Sequence, residues 1–172
     1  MTKVINKYHD LNLIEMAKHR LMLEEFLVKR SNLSVRDDQG RNALYWAIKY
    51  QSKHNVVLLL KYGISLMVDC DTHAIFHAIA HNDYDTFILL LNKKVVGLDI
   101  KDTAGMTLLM RAIQAESVPM VRYLINHGAN LYLEDSEGYV ALDYAKSSKN
   151  RDVFNLVHYR IIYEQNQKSN PA

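Results

Sequence analysis

Cysteine is almost absent from this 172-residue chain, where Cys70 stands alone. A single thiol cannot build a disulfide framework, and its isolation points to a reducing compartment, the cytoplasm. Proline is nearly as scarce, with two residues, and the six glycines are scattered, which excludes collagen-like and low-complexity chains. Neither sign of charge dominates: 21 basic and 19 acidic side chains are interspersed, for a formal net charge of +2. The lysine-bearing spots at 18–20, 93–94 and 149–151 are short and dispersed, so nothing resembles a phosphate-tracking surface and no nucleic acid is expected as a partner. Long hydrophobic runs are missing too. The longest, 56–60 and 87–91, fall far short of a bilayer, and the opening MTKVINKYHD has no apolar stretch of the kind a secretory signal needs. What remains is 49% hydrophobic and 23% charged residues, the make-up of one globular domain with a substantial core and no membrane association.

Repetition fills that domain. Segments 32–40 (NLSVRDDQG), 65–73 (SLMVDCDTH), 97–105 (GLDIKDTAG) and 130–138 (NLYLEDSEG) align, with Leu second and an aliphatic residue fourth in each. Three of the four have Asp sixth and Gly ninth. Each leads into a stretch that ends on an alanine, and these alanines (Ala47, Ala78, Ala112, Ala145) lie 31, 34 and 33 residues apart. Nine residues further on come Val56, Phe87, Val121 and Phe154, followed in the first three cases by apolar pairs such as Leu59-Leu60 and Leu124-Ile125. This spacing predicts two short amphipathic helices per unit, the second ended by Gly63 or Gly128 in a left-handed conformation. The Asp-x-x-Gly segment turns the chain into the next unit. Alanine at the same place in every first helix permits close approach between neighbouring units. No unit can bury its apolar face alone, so the units must stack.

Asp102-Thr-Ala-Gly105-Met-Thr107-Leu-Leu109-Met-Arg-Ala112, Asp135-Ser-Glu-Gly138 with Leu142 and Ala145, and His127-Gly128-Ala129-Asn130 resemble the ankyrin repeat. The resemblance covers roughly residues 10 to 163. It implies an all-α ankyrin-repeat solenoid of helix–turn–helix units joined by short fingers. The expected organisation is one domain over 1–165: a degenerate N-terminal cap at about 10–33, then units at about 34–66, 67–98, 99–131 and 132–165, with a disordered tail at 166–172. The family's His is replaced by Tyr45, Phe76, Met110 and Asp143, and its Thr survives only at Thr107, which removes the usual loop-to-helix hydrogen bonds elsewhere. The second unit is the least regular, since its turn lacks two residues and Lys94 stands where Gly is expected, so a distorted finger is predicted there. At the end of the array, 152–163 reads as a capping helix with Val153, Phe154, Val157 and Ile161 inward and a polar outer face.

Catalytic patterns are missing. There is no phosphate-cradling glycine loop, no Gly-x-Ser-x-Gly and no His-Glu-x-x-His. Cys70 sits between Asp69 and Asp71, whose charges raise a thiol pKa, so it does not read as a nucleophile. Glu24, Glu25, Asp37 and Asp38 read as turn and surface chemistry rather than acid–base pairs. His73, His77 and His81 follow one another at i, i+4 and i+8, which opens a remote metal-binding reading with Asp69, Asp71 or Cys70 as further ligands. The simpler reading is three polar residues on an exposed helix face, with no cofactor and no metal.

By resemblance, partners dock on a concave surface made of finger tips and the outward positions of the first helices. The tips are Arg36, Asp38, Gln39, Arg41, His73, Met106, Glu137 and Tyr139; the helix positions are Trp46, Tyr50, His77, His81, Arg111, Gln114 and Tyr144. Trp, Tyr and Arg are the residue types that dominate binding energy at interfaces. The expectation is therefore a non-catalytic, monomeric, cytoplasmic protein-binding module that blocks or sequesters one partner protein. Two forms of that role stand beside each other: an immunity-type inhibitor of a secreted toxin in a bacterium, and an effector or viral mimic that binds host signalling proteins.

Overall fold

The computed structural model describes residues 13–18, 27, 32–93 and 97–169. Among these residues the regular structure is helical, in nine helices: α1 (Leu13–Lys18), α2 (Ala43–Lys49), α3 (Lys53–Lys61), α4 (Ala74–Ala80), α5 (Tyr84–Asn92), α6 (Leu108–Gln114), α7 (Val118–Asn126), α8 (Ala141–Ser147) and α9 (Arg151–Ser169). No strand occurs among the described residues, and only isolated bridges pair Met67 with His73 and Lys101 with Thr107. The chain divides into two compact units, Met1–Thr86 and Phe87–Ala172, with the break inside α5.

In the first unit α2 packs against α1, α3 and α4; in the second, α6 packs against α7 and α8, and α9 against α7 and α8. Close approach of α2 to α4 in the first unit and of α6 to α8 in the second follows from their alanines, since Ala47, Ala78, Ala112 and Ala145 are all fully buried. Around them Leu44, Ile48, Leu59, Ile75 and Ile79 fill the first unit, and Phe87, Leu108, Leu109, Val121 and Leu124 the second. Each such side chain contributes about 1.5–3 kcal/mol by leaving water.

The two helices of a unit are joined by one repeated device. Amides of residues 50–52 donate to the carbonyls of Trp46, Ile48 and Ala47, and those of 81–83 and 115–117 repeat the pattern. The middle residue is left-handed in each case although it is not glycine: Gln51, Asn82 and Glu116 have φ of 50°, 49° and 52°. Helix starts are capped by different chemistry in each unit. Asn42 Oδ1 accepts from the Tyr45 amide at 3.1 Å, and Thr107 Oγ1 from the Met110 amide at 3.2 Å. His73 Nδ1 accepts from the Ile75 amide at 3.2 Å, and before α8 the Asp143 carboxylate accepts from the Val140 amide. The loss of Thr outside Thr107 therefore does not remove the caps. Asn42 gains something further, because its Nδ2 also donates to the carbonyls of Ser65 and Met67 on the neighbouring finger.

Two expectations need correction. The helix α9 runs to Ser169, into the tail predicted to be disordered, and only 170–172 lie outside the described residues. Its outer face is not simply polar either: Tyr159 is 66%, Tyr163 56% and Ile162 38% exposed. Most of the predicted N-terminal cap (10–12, 19–26 and 28–31, with Glu24 and Glu25) and Lys94 lie outside the described residues. The second finger is indeed irregular at its turn, where the bond made by the Gly40, Gly105 and Gly138 amides to Asp37, Asp102 and Asp135 O has no counterpart among the described residues. The outer hydrogen bond is kept, from the Val68 amide to the Thr72 carbonyl, and also missing is the small turn that precedes the other fingers at residues 33–34, 98–99 and 131–132.

Candidate functional site

Three fingers share one construction. In each, an aspartate lies five residues before the helix cap, and its amide donates across the turn: Asp37 to Arg41 O, Asp102 to Met106 O, Asp135 to Tyr139 O. One carboxylate oxygen gathers two further backbone amides, those of Gln39 and Arg41, of Ala104 and Met106, and of Glu137 and Tyr139, at 2.8–3.0 Å. The other oxygen reaches the side chain nine residues on, at the first outward position of the following helix. Asp37 accepts from the Trp46 indole N–H at 3.0 Å, Asp102 from Arg111 Nε at 2.5 Å, and Asp135 from the Tyr144 hydroxyl. The aspartate thus ties the finger to its helix, whichever donor the helix offers.

The electrostatics follow from these bonds. Burial pushes the Asp37 carboxyl up, but the amide and guanidinium of Arg41, the Gln39 amide and the Trp46 indole hold it below its ordinary value. The Tyr144 hydroxyl holds the Asp135 carboxyl down, and Asp135 in turn pushes the Tyr144 phenol up to about 12. Fingers are also strapped to one another within each unit. Arg36 donates to Gly40 O and to Met67 O of the next finger, and Lys101 Nζ donates to Glu134 O.

The second finger has no such tie. The helix position held by Trp46, Arg111 and Tyr144 is taken by His77, which is 8% exposed and whose Nε2 has no hydrogen-bond partner among the described residues. Burial, reinforced by the neighbouring His81, pushes the His77 imidazole down to about 4. Its ring stacks on Tyr45 at 4.1 Å and meets His81 edge-on at 4.6 Å. His73 is drawn away as the cap of α4, so the three imidazoles do not converge. No group of three His, Cys, Asp or Glu among the described residues is placed to hold a metal ion.

The predicted surface residues fall into two clusters, one in each unit. In the first, Trp46 is at the centre: Tyr50 stacks on it at 5.9 Å, Tyr45 meets it edge-on at 5.3 Å, and Lys18, Arg41 and Lys49 lie 4.5, 4.4 and 4.9 Å from its ring centre. Tyr50 is 54% exposed, Arg36, Asp38 and Gln39 are exposed at the finger, and Arg41 and His81 are half-buried. In the second, Arg111 spans Asp102 and Gln114, Tyr139 meets Tyr144 edge-on at 6.4 Å, and Tyr139 is 52% exposed beside exposed Glu137. Two residues expected on the surface are not there. Met106 is buried at 5%, its backbone serving the Asp102 turn, and His77 is buried as described. Sequence reasoning missed Lys18 and Tyr45 as parts of the first cluster, and it missed the aspartate ties. The nine-residue spacing of 37 to 46, 102 to 111 and 135 to 144 was the signal for the ties.

A family model for ankyrin repeats, in three copies, matches residues 13–102 and again 75–168. The chain belongs to the ankyrin repeat family. Among its relatives, it is 32% identical over 119 residues to the ankyrin repeat domain-containing protein SAT10 of Stachybotrys chartarum, 27% over 138 residues to the potassium channel AKT2/3 of Arabidopsis thaliana, and 29% over 142 residues to the putative ankyrin repeat protein FPV022 of Fowlpox virus. These matches take in 67%, 79% and 80% of the chain but only 6%, 17% and 24% of those relatives. The chain thus spans less than a quarter of the length of each. Ankyrin repeats are generally protein–protein interaction modules and generally non-catalytic. No helix among the described residues is long and apolar enough to cross a membrane.

Proposed function

We propose that this ankyrin repeat chain is a non-catalytic module that recognises one partner protein through its finger tips and first-helix surfaces, and so blocks or sequesters it. The observation that carries this reading is the aspartate tie. Fingers fixed to their helices by Asp37, Asp102 and Asp135 leave Tyr50, Tyr139, Gln39 and Glu137 exposed on a support that is already ordered. Pre-ordering lowers the entropy lost on docking, and tyrosine offers large contact area with few rotatable bonds. On this reading the repeats run over 34–66, 67–98, 99–131 and 132–165 behind a degenerate cap at 10–33, and the protein acts as a monomer in the cytoplasm. Toxin inhibition and mimicry of a host signalling protein are two forms of the same act, and the identity of the partner separates them.

Affinity capture from lysate of the native organism, read by mass spectrometry, tests the proposal. The comparison variant carries Tyr50→Ala and Tyr139→Ala, two exposed substitutions that leave the aspartate ties in place. One protein retained by the native chain and lost by the variant is the expected result. Equal capture by both overturns the placement of the binding surface.

A further inference from the structure

The first-unit cluster has a charge arrangement that selects its ligand. Lys18, Arg41 and Lys49 all stand within 4.9 Å of the Trp46 ring centre, and Arg41 and Lys49 also lie 5.0 and 6.0 Å from the Tyr45 ring. Two of these cations are already matched: Lys18 by Glu15 at 2.5 Å and Arg41 by Asp37 at 2.8 Å. Lys49 is exposed and has no carboxylate partner among the described residues, so its ammonium is the unmatched charge over the aromatic ladder. With three cations on it, the π-system of Trp46 is unavailable to an incoming lysine or arginine. Tyr50, stacked on Trp46 and 54% exposed, supplies an apolar face next to that charge.

Resting on the binding reading above, we infer that the first unit docks a partner segment in which an aspartate or glutamate stands beside an aromatic or aliphatic residue, the carboxylate meeting Lys49 and its neighbour covering Tyr50. A polyanion such as RNA fits less well. It needs many unmatched cations along its path, whereas here Lys49 stands alone beside two neutralised pairs, and exposed Asp38 and Asp71 on the fingers repel a phosphate chain. One carboxylate with an apolar neighbour matches one free ammonium with an exposed tyrosine.

A phage-displayed library of random dodecamer peptides, selected on the intact chain, supplies the probe. The expected outcome is enrichment of Asp or Glu adjacent to an aromatic or aliphatic residue. Synthetic copies of the enriched peptides should perturb the fluorescence of Trp46, the sole tryptophan. They should bind Lys49→Glu about tenfold or more weakly, while selection on Lys49→Glu should enrich Lys or Arg instead. No enrichment, enrichment without acidic bias, indifference to Lys49→Glu, or tighter binding of a fluorescein-labelled twelve-residue oligouridine than of the peptides would each overturn the inference. A captured partner that is lost with Tyr139→Ala but held by Lys49→Glu would leave the binding function standing and remove only the acidic-segment reading.

Discussion

The fingers that precede α2 and α4 lie in the same unit, yet they are held by opposite means. The first is tied, with Asp37 collecting two amides, the Arg41 guanidinium and the Trp46 indole, so the turn and the helix surface form one piece. In the second, Asp69 collects the amides of Asp71 and Thr72 and the Thr72 hydroxyl, and the helix offers His77, an imidazole buried without a partner for Nε2. The lesson is that one helix position accepts indole, guanidinium, phenol or imidazole, but the tie forms only where the finger carries an aspartate nine residues earlier, and the second finger has Val68 there. With Val68 in the aspartate's place, the burial of His77 becomes a cost that depends on pH.

The largest expected effect concerns two glycines at the same place in successive fingers. A methyl group on Gly105 would sit 2.7 Å from the Ser136 amide nitrogen and 3.1 Å from the Asp135 carbonyl carbon, at φ 72°. At Gly138, with φ 86°, it would meet nothing within 4 Å. Gly105→Ala should therefore lose about 3 kcal/mol or more in urea denaturation, and Gly138→Ala only the left-handed penalty of about 1 kcal/mol. Equal losses would show that the third and fourth fingers do not pack as described.

Next comes pH. His77 titrates near 4 when folded and at the ordinary 6.5 when unfolded, so between these values the unfolded chain binds the extra proton. Stability from this group is complete above about 6.5 and falls as pH drops toward 4, by on the order of 2 kcal/mol after allowance for partial solvation. Asp37 and Asp69, held below 3.8, lose their contributions only below that window. Urea midpoints at pH 7, 5.5 and 4.5 should fall for the native chain and stay flatter for His77→Phe; parallel curves would refute the buried neutral imidazole.

A smaller effect distinguishes the fingers directly. Asp37→Ala removes four hydrogen bonds and leaves the Trp46 indole without that acceptor and the Arg41 guanidinium with the Tyr45 hydroxyl in place of a carboxylate, for about 1–2 kcal/mol. Asp69→Ala, which removes two backbone contacts and the Thr72 hydroxyl bond but no indole or guanidinium, should cost less. Smallest is a gain: Gln51→Gly relieves a left-handed glutamine whose side-chain bond to His81 O is long, at 3.4 Å, for about 0.5–1 kcal/mol of stabilisation. Glu116→Gly should gain less, because Glu116 also accepts from the Lys149 amide at 3.0 Å. Differential scanning calorimetry on the pair reads this contrast.

Much of the fold was legible because its signals are local and periodic. The buried alanines at 47, 78, 112 and 145, the glycines with positive φ at 63 and 128, and the family itself all follow from spacing along the chain. The candidate surface was legible only in part. Tyr50 and Tyr139 were correctly expected to be exposed, but Met106 was placed at a tip by position alone and is buried, since its backbone closes the Asp102 turn and carries the side chain inward. The array's polar outer end failed for a similar reason: the pattern shows which α9 residues repeat with the core, and it does not show how far Tyr159 and Tyr163 stand out.

Sequence by itself determined the repeat, its two helices and the family, because each is fixed by contacts between residues a few positions apart and by a hydrophobic face that only stacking can bury. Tertiary structure decided which polar side chains are spent inside the protein and which are left for a partner. Trp46, Arg111 and Tyr144 find their aspartate and His77 does not, while Lys49 keeps a charge that Lys18 and Arg41 give to Glu15 and Asp37. The ties themselves follow the nine-residue spacing, with Val68 breaking it before His77. Which cations around Trp46 meet a carboxylate depends instead on short distances between side chains on different elements, which the order of residues does not encode on its own.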